Sequence, residues 1–419
     1  MSDDKVRTYA FAADSNVVRG RVPGSKSVAA RAMILRRVFG NLTELEGIPD
    51  CGDSMDLKFN LEKYDCAMAT PAKRDSSDIA RYWLGDGGTT YRFFTALAAS
   101  TPGFSGEIGC SSQLARRPMK PLYDALEEAG ANLKFFDESD YSIIGVKGRS
   151  LDGTGVKVDS SKSSQFLSAL MMVSPLWRNP LEYDREVSAR LPYVVMTEKM
   201  VDIFSEKPAK YRVEGDWSAA SYFYQLALIR PDIIVEVEGL LPPEQSLQGD
   251  SACVEIFGTL GVSTEFIGEI ARLKCVSHPD KGSEVEFNLE KTPDLVPAVV
   301  AGCCFAGIRF HISGVANLRY KESDRLSALR EELSKLGYSL IVGNDSIEWH
   351  GEMGAMESRV VKNLFKESPL TVIDSHGDHR IVMSTMLHAA MGENIRIKGS
   401  LDVYKSFPDF FHEFKFKEV

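Results

Sequence analysis

Two short stretches of this chain crowd opposite charges where a helix is about to begin. The first reads Asn317-Leu318-Arg319-Tyr320-Lys321-Glu322-Ser323-Asp324-Arg325 and runs into Leu326, Leu329, Leu333 and Leu336 on one helical stripe, ending at Gly337. The second reads Asp378-His379-Arg380, and a third basic pair, Arg116-Arg117-Pro118, precedes another helical pattern with proline at a position compatible with the first turn. A helix N-terminus carries partial positive charge and favours acids, so Arg319, Lys321 and Arg325 sit where the macrodipole opposes them. Cations held there point to a bound anion; a solvated network with Glu322 and Asp324 would account for the nine residues taken alone. His379 lies in a polar turn between an acid and an arginine, where core packing is a poor explanation, whereas His278, His311, His350, His388 and His412 have no such surroundings. Neither H-E-x-x-H nor a Cys/His pair at ligand spacing occurs, so the residues describe no metal site.

The elements that position these groups recur. Six times an extended run meets a polar turn and then an apolar-periodic helix: Gly24-Ser25-Lys26-Ser27, Asp86-Gly87-Gly88-Thr89, Ser161-Lys162-Ser163-Ser164, Gly215-Asp216-Trp217-Ser218, Lys291-Thr292-Pro293-Asp294 and Ser375-His376-Gly377-Asp378. Markers at Ser25, Gly87, Lys162, Asp216, Thr292 and His376 are spaced by 62, 75, 54, 76 and 84 residues, as one duplicated unit used six times would be. Helix starts gathered in this way make an anion trap. No G-x-x-x-x-G-K-[ST] and no well-placed G-x-G-x-x-G is present, so a nucleotide is not demanded.

Period sets the coarse structure. Ala29 to Phe39 repeats apolar residues at helical spacing up to Gly40, which predicts a helix starting just after Lys26 with Gly40 past its end. Helices are likewise predicted over Arg92 to Ala99, Gln165 to Val173, Ala219 to Ile229, Leu295 to Ala306 and Arg380 to Met391. Runs such as Ile233 to Val237 and Ile308 to Ile312 read as strands. The pattern is α/β, with a boundary near Val213-Glu214-Gly215 that leaves three units on each side, and a ligand site is expected in the cleft between the halves.

The 419 residues suggest two domains or more, and 44% hydrophobic composition can fill two cores. A formal charge of −10 makes nucleic acid an unpromising partner and places any anion preference in local clusters. The opening Met1-Ser2-Asp3-Asp4-Lys5 leads to no apolar segment, and no run approaches the ~18 apolar residues of a membrane span, so a cytoplasmic protein without membrane contact is expected. Seven cysteines, an odd number without C-x-x-C, read as reduced packing residues.

Read in order, Pro23-Gly24-Ser25-Lys26-Ser27 with Arg31, Gly88-Thr89 with Arg92, Arg117-Pro118, Ser163-Ser164-Gln165-Phe166-Leu167-Ser168-Ala169-Leu170, Pro192-Tyr193, Glu214-Gly215-Asp216, Gln248-Gly249-Asp250, Pro293-Asp294, Lys321-Glu322-Ser323-Asp324-Arg325, Asp378-His379-Arg380 and Lys405-Ser406-Phe407-Pro408-Asp409 form an ordered set. Together they closely resemble the motifs of the 5-enolpyruvylshikimate-3-phosphate synthase family, over residues 20 to 410. The resemblance implies a two-domain enolpyruvyl transferase fold, an inside-out α/β barrel in which each domain has three βαβαββ units about a pseudo-threefold axis. Residues 1–20 with 214–419 would form one domain and residues 21–213 the other. It further implies transfer of the enolpyruvyl group of phosphoenolpyruvate to the 5-hydroxyl of shikimate 3-phosphate, by a monomer with no cofactor or metal.

Carried over by motif, Asp294 would accept the 5-hydroxyl proton with Lys26 near both substrates, while Glu322, His379 and Lys405 handle protons at the enol carbon. Arg117, Arg325, Arg380 and Gly88 would hold phosphoenolpyruvate, and Arg92 of the glycine loop would bind substrate. Ser27, Arg31, Ser163, Ser164, Gln165, Tyr193, Asn317 and Lys321 would hold shikimate 3-phosphate. Three places depart from the family pattern. The glycine loop usually reads Asn-Ala-Gly-Thr-Ala-Met-Arg-Pro but here Asp86-Gly87-Gly88-Thr89-Thr90-Tyr91-Arg92-Phe93, putting an acid beside the anion pocket. In Arg190-Leu191-Pro192-Tyr193 the expected serine is replaced by Arg190, which could contact the shikimate phosphate, or displaced to Ser188. Cys51 to Trp83 reads as a trimmed unit. Alternatives are the sister transferase acting on UDP-N-acetylglucosamine, a paralogue with a changed acceptor, and a non-catalytic anion-binding descendant; the last would require lost proton-transfer groups, and all are present.

Overall fold

A single strand order recurs through the computed structural model, in which residues 5–69, 79–137, 140–159, 163–280, 282–353 and 371–419 are described, apart from the side chains of residues 140, 187 and 188. Ser161 and Lys162 of the third turn, the side chain of Ser188 and part of the segment 51–83 therefore lie outside the described residues. The strand Glu284–Asn288 pairs parallel with Arg309–Ser313, which pairs antiparallel with Ser346–Trp349, and that strand antiparallel with Ile341–Val342. A parallel pair needs a crossover, and the helix Val296–Ala306 supplies it; the helix Arg325–Lys335 then leads into the terminal hairpin. This is one βαβαββ unit.

Arg81–Trp83, Ser105–Gly109, Asp140–Lys147 and Asn132–Asp137 repeat the order with helices Gly88–Ser100 and Lys120–Glu128 between them. Val17–Arg21, Ile234–Glu238, Ile270–Cys275 and Val262–Ile267 repeat it again, although here the crossover helix, Trp217–Ile229, follows some two hundred residues after the first strand. In the fourth sheet Val372–Asp374 pairs parallel with Ile395–Lys398, and the two antiparallel members, Val6–Phe11 and Phe416–Glu418, come from the two ends of the chain. A fifth sheet among the described residues has two strands only, Glu44–Glu46 parallel to Lys210–Arg212.

The chain divides into two compact units, one made of Met1–Pro23 with Gly215–Val419 and the other of Gly24–Glu214. Each chain passage uses the same device. A Cβ on Gly24 would lie 1.9 Å from the Gly47 carbonyl oxygen, and one on Gly215 would lie 2.2 Å from that of Gly239, so neither position admits a side chain. Gly47 and Gly239 in turn have φ of +75° and +93°, where a side chain is strained.

The helices that follow the turns form the interior. Trp217–Ile229, Val296–Ala306 and His379–Met386 pack on one another in the first unit; Lys26–Val38, Gly88–Ser100 and Gln165–Val173 do so in the second. All thirteen residues of Trp217–Ile229 are buried, as a helix apolar on every face must be. The sheets therefore lie outside and the helices inside. Six of the seven cysteines are buried and all are free thiols, Cys66 being exposed. Among the described residues no helix is long and apolar enough to cross a membrane.

Several boundaries differ from the sequence pattern. The helix expected just after Lys26 begins at Lys26 itself, and the one expected from Arg92 begins at Gly88, because the polar turn residues enter the first helical turn. The one expected over Arg380 to Met391 runs over His379–Met386 and tightens into a 3-10 turn, Leu387–Met391, before Gly392 at φ +99°. Pro118 is not in a first turn: the helix after it starts at Lys120, with Pro121 in that place. Pro118 instead offers its carbonyl to Arg92 at 3.0 Å.

Candidate active site

In the first unit three segments bring the expected charges into one buried network. Asp294 precedes the helix Val296–Ala306, Lys321 to Asp324 lead into Arg325–Lys335, and Asp378 caps His379–Met386 by accepting from the Arg380 N–H at 3.0 Å. Asp324 caps its own helix, accepting from the Ser327 N–H at 3.1 Å. With two starts capped by their own acids, the arginines beside them are available to side chains.

Arg325 is the hub, with its side chain 1% exposed. Its Nε donates to Asp378 Oδ2 at 2.8 Å, Nη1 to Asp294 Oδ1 at 2.9 Å, and Nη2 to Glu322 Oε2 at 2.5 Å and Asp378 Oδ1 at 3.3 Å. Burial by itself would lower the arginine's pKa, but the three carboxylates outweigh it and hold the group charged. Arg380 donates to the Asp294 carbonyl at 3.0 Å and to its Oδ2 at 3.1 Å, and Lys321 Nζ lies 3.2 Å from Asp294 Oδ1. Asp294 is thus held by three cations. Burial pushes its pKa up, yet Arg380, Lys321 and Arg325 bring it well below the usual carboxylate range, and 19% of its side chain stays open. Lys405 Nζ is 3.8 Å from Glu322 Oε1, and His379 is buried with Nδ1 3.9 Å from Asp378 Oδ1. Asn317 has a buried Oδ1 with no partner among the described residues. Arg319 departs from the cluster: it pairs with Asp324 at 3.3 Å and with the Gly343 carbonyl at 2.6 Å, the network reading offered for that stretch.

In the second unit two guanidinium groups lie against the glycine turn. A Cβ on Gly88 would stand 2.8 Å from Arg117 Nη1 and 2.9 Å from Arg92 Nη1, so the missing side chain makes room for both. Arg92 is buried, donates to Gln165 Oε1 and the Pro118 carbonyl, and lies over the Phe166 ring. Gln165 is held from its other end, Nε2 donating to Thr89 Oγ1 at 2.9 Å, and its N–H donates to Ser163 Oγ at 3.3 Å. Arg117 has a buried Nε with no partner among the described residues. Two arginines against a glycine at the first turn of a buried helix make a receptor for an anion. Ser164 is half-buried at the start of its helix and accepts no capping bond.

Lys26 sits at the first position of its helix, with Nζ 2.8 Å from Asp53 Oδ2. Arg31 is placed differently from a ligand-holding side chain. It is buried, and its donors go to Thr197 Oγ1 at 2.7 Å, the Ser27 carbonyl at 2.8 Å, the Tyr193 carbonyl at 3.1 Å and Ser168 Oγ at 3.4 Å. Burial lowers its pKa to about 10, so it keeps its charge at neutral pH. Arg31 ties the backbones of Ser27 and Tyr193 together. Arg190 is exposed, just before the helix Pro192–Ser205. Asp86, the acid in the glycine turn, accepts from Ser111 Oγ.

Three acids were given no role by sequence. Asp53 pairs with Lys26 from the first turn of Gly52–Ala69, where an acid reads as an ordinary complement to the helix dipole. Asp56 is raised to about 6 by burial and then by Asp53 and Asp86. Asp250, buried and accepting from Ser218 Oγ, is raised to about 6 by burial and then by the charge of Asp294; its signal was the Gln248-Gly249-Asp250 motif.

The sequence model of the family described as EPSP synthase (3-phosphoshikimate 1-carboxyvinyltransferase) matches residues 15–414. A protein of Bacteroides fragilis (strain YCH46) named 3-phosphoshikimate 1-carboxyvinyltransferase is 31% identical over 419 residues, covering 94% of each chain. One of the same name from Syntrophobacter fumaroxidans is 32% identical over 426 residues, covering 94% of this chain and 95% of its own. The EPSP synthase structure from Acinetobacter baumannii superposes with a TM-score of 0.65 over 99% of this chain and 100% of that one; at 19% identity it speaks for the fold. With a family match across almost the whole sequence and the family's α/β architecture in its fold, this chain belongs to the EPSP synthase family.

Proposed function

We propose that the protein transfers the enolpyruvyl group of phosphoenolpyruvate to the 5-hydroxyl of shikimate 3-phosphate with release of inorganic phosphate, a step of the shikimate pathway, acting as a cytoplasmic monomer. The observation that carries the reading is Asp294: an ionised, partly open carboxylate fixed by Arg325, Arg380 and Lys321. In the addition step the 5-oxygen bonds to C2 of the enol, its proton passes to Asp294, and C3 takes a proton from the Glu322, Lys405 and His379 group. In the elimination step the bond from C2 to the phosphate oxygen breaks, C3 returns a proton, the double bond reforms, and the proton held by Asp294 leaves with the phosphate, restoring the base. Atoms and charge balance without a redox partner.

The free protein stores its cations on its own acids. Phosphate and carboxylate groups arriving at Arg380, Lys321 or Arg325 compete with Asp294 for the same donors, so each bound anion withdraws stabilisation from the Asp294 carboxylate and raises its affinity for a proton. The base is thereby strengthened when substrates are in place. Arg92, Arg117 and the Gly88 turn form the second anion receptor, assigned to phosphoenolpyruvate, with Gln165, Ser163, Ser164, Tyr193, Asn317, Lys321 and Arg190 assigned to shikimate 3-phosphate. Arg31 acts on that acceptor through the backbones of Ser27 and Tyr193. Lys26, paired with Asp53, stands ready to exchange that partner for a substrate anion.

The test is phosphate release by the purified protein with phosphoenolpyruvate and either shikimate 3-phosphate or UDP-N-acetylglucosamine. Release that depends on shikimate 3-phosphate is expected. Release with the sugar nucleotide alone, or with neither, would overturn the assignment.

A further inference from the structure

The helix Arg325–Lys335 holds the segment Asp374 to Asp378 at two points. At its first residue Arg325 grips Asp378, as described above. Seven residues on, about 10 Å along the axis at 1.5 Å per residue, Glu332 grips the other end of the same segment. Its carboxylate is fully buried, with Oε2 accepting from the Asp374 N–H at 3.0 Å and Oε1 from His376 Nε2 at 2.6 Å. Lys335 Nζ supplies the countercharge at 2.8 and 2.7 Å from the two oxygens. Glu331, Glu332 and His376 are close enough to suggest a cation site, but the lysine ammonium already occupies that position among their oxygens.

A buried carboxylate is costly unless charge and hydrogen bonds compensate it, and here two of the three donors, the Asp374 N–H and His376 Nε2, serve a purpose beyond that. His376 has φ of +54°, a conformation that a residue with a side chain adopts at a cost and keeps only when its surroundings fix it. The Glu332 bond, with the His376 N–H donating to Asp374 Oδ1 at 2.8 Å, fixes it. The turn that follows delivers the Asp378 cap, and the cap orients Arg380, whose guanidinium reaches Asp294.

Resting on the reading of Arg380 as a holder of phosphoenolpyruvate, we infer that Glu332, through His376, is a positioning residue for the donor substrate, setting the turn that aims Arg380. Neither residue touches the reacting atoms.

Steady-state kinetics with each substrate varied in turn, on the full chain, tests this. Glu332→Gln keeps the shape and loses the charge; His376→Asn keeps a residue type tolerant of positive φ and removes the bond. Both variants are expected to raise the KM for phosphoenolpyruvate about tenfold, to leave the KM for shikimate 3-phosphate within about twofold, and to show no further loss when combined, since they act through one contact. Should Glu332→Gln fail to fold, His376→Asn carries the test alone. An unchanged KM for phosphoenolpyruvate in a folded variant, an equal rise in both KM values, or simple additivity in the double variant overturns the assignment. Arg380→Gln separates the two readings: if it leaves the KM for phosphoenolpyruvate unaltered, the donor role of Arg380 falls, and the inference falls with it.

Discussion

Replacing Arg325 by lysine keeps a positive charge at the hub and removes its fork. The arginine makes four contacts under 3.5 Å to three carboxylates, Asp378, Asp294 and Glu322. A lysine ammonium at the end of a flexible stem cannot span the same three groups, and at least two of those contacts go. Hydrogen bonds to charged groups contribute ~1.5 kcal/mol each at the lower end, so Arg325→Lys is expected to destabilise its unit by about 3 kcal/mol. At ~2–4 °C per kcal/mol for a unit of this size, the melting temperature should fall by about 6–12 °C. Scanning calorimetry at pH 7 reads this directly. The sign of the pH dependence follows from Asp294, whose folded pKa is depressed: the stabilisation is present in full above the unfolded carboxylate value of about 4 and is lost as pH falls through the lower folded value. The gap between the two proteins should therefore hold steady from pH 7 to 5 and narrow below about pH 4. A fall of less than about 2 °C at pH 7 would refute the view that the fork, and not charge alone, organises the site.

Further outcomes follow from the same geometry. Asp294→Ala should lower turnover far more than it weakens shikimate 3-phosphate binding measured by calorimetry; equal losses in both would remove Asp294 from proton transfer. Gly24→Ala would place a Cβ 1.9 Å from the Gly47 carbonyl oxygen, a backbone atom that cannot step aside, so soluble folded protein should be lost, and normal yield would contradict the packing described. Burial opposes but the Glu332 bond outweighs it in raising the His376 pKa, so the stabilisation by this bond is present below about pH 6.5 and declines as pH rises through the folded value. The groups facing the pair are Glu331, Lys335, Asp374 and Lys398. The melting-temperature difference between wild type and His376→Asn should shrink between pH 6 and pH 9, and a difference that grows would reverse the assigned pairing.

How much of this could be read from the chain depends on the range of the interaction. Helix starts were legible because capping and apolar period are local: Asp216, Asp324 and Asp378 each accept from an N–H two or three residues on. Gly40, at φ +57° just past Lys26–Val38, was legible for the same reason. Pairings across the sequence were not. Nothing near Lys26 announces Asp53, nothing near Arg325 announces that Asp378 lies in reach, and the four neutral acceptors around Arg31 are drawn from positions 27, 168, 193 and 197. Arg31 was expected to face ligand because the family motif at Pro23 to Ser27 carries it there; whether a guanidinium faces ligand or backbone is decided by neighbours that only the fold supplies. Glu332 was hidden differently, since an acid late in a charged helix followed by Lys335 reads as an ordinary surface pair.

The most direct test of the account is mass spectrometry of the product formed by the wild-type protein in deuterium oxide. The addition and elimination steps assigned to Glu322, Lys405, His379 and Asp294 convert the methylene carbon of phosphoenolpyruvate to a methyl group and back, taking one proton from side chains in exchange with solvent. Deuterium should appear at the methylene carbon of the transferred group. A product formed at full rate with no deuterium there would mean that this carbon is never protonated, and the proposed roles of Glu322, Lys405 and His379 would be wrong.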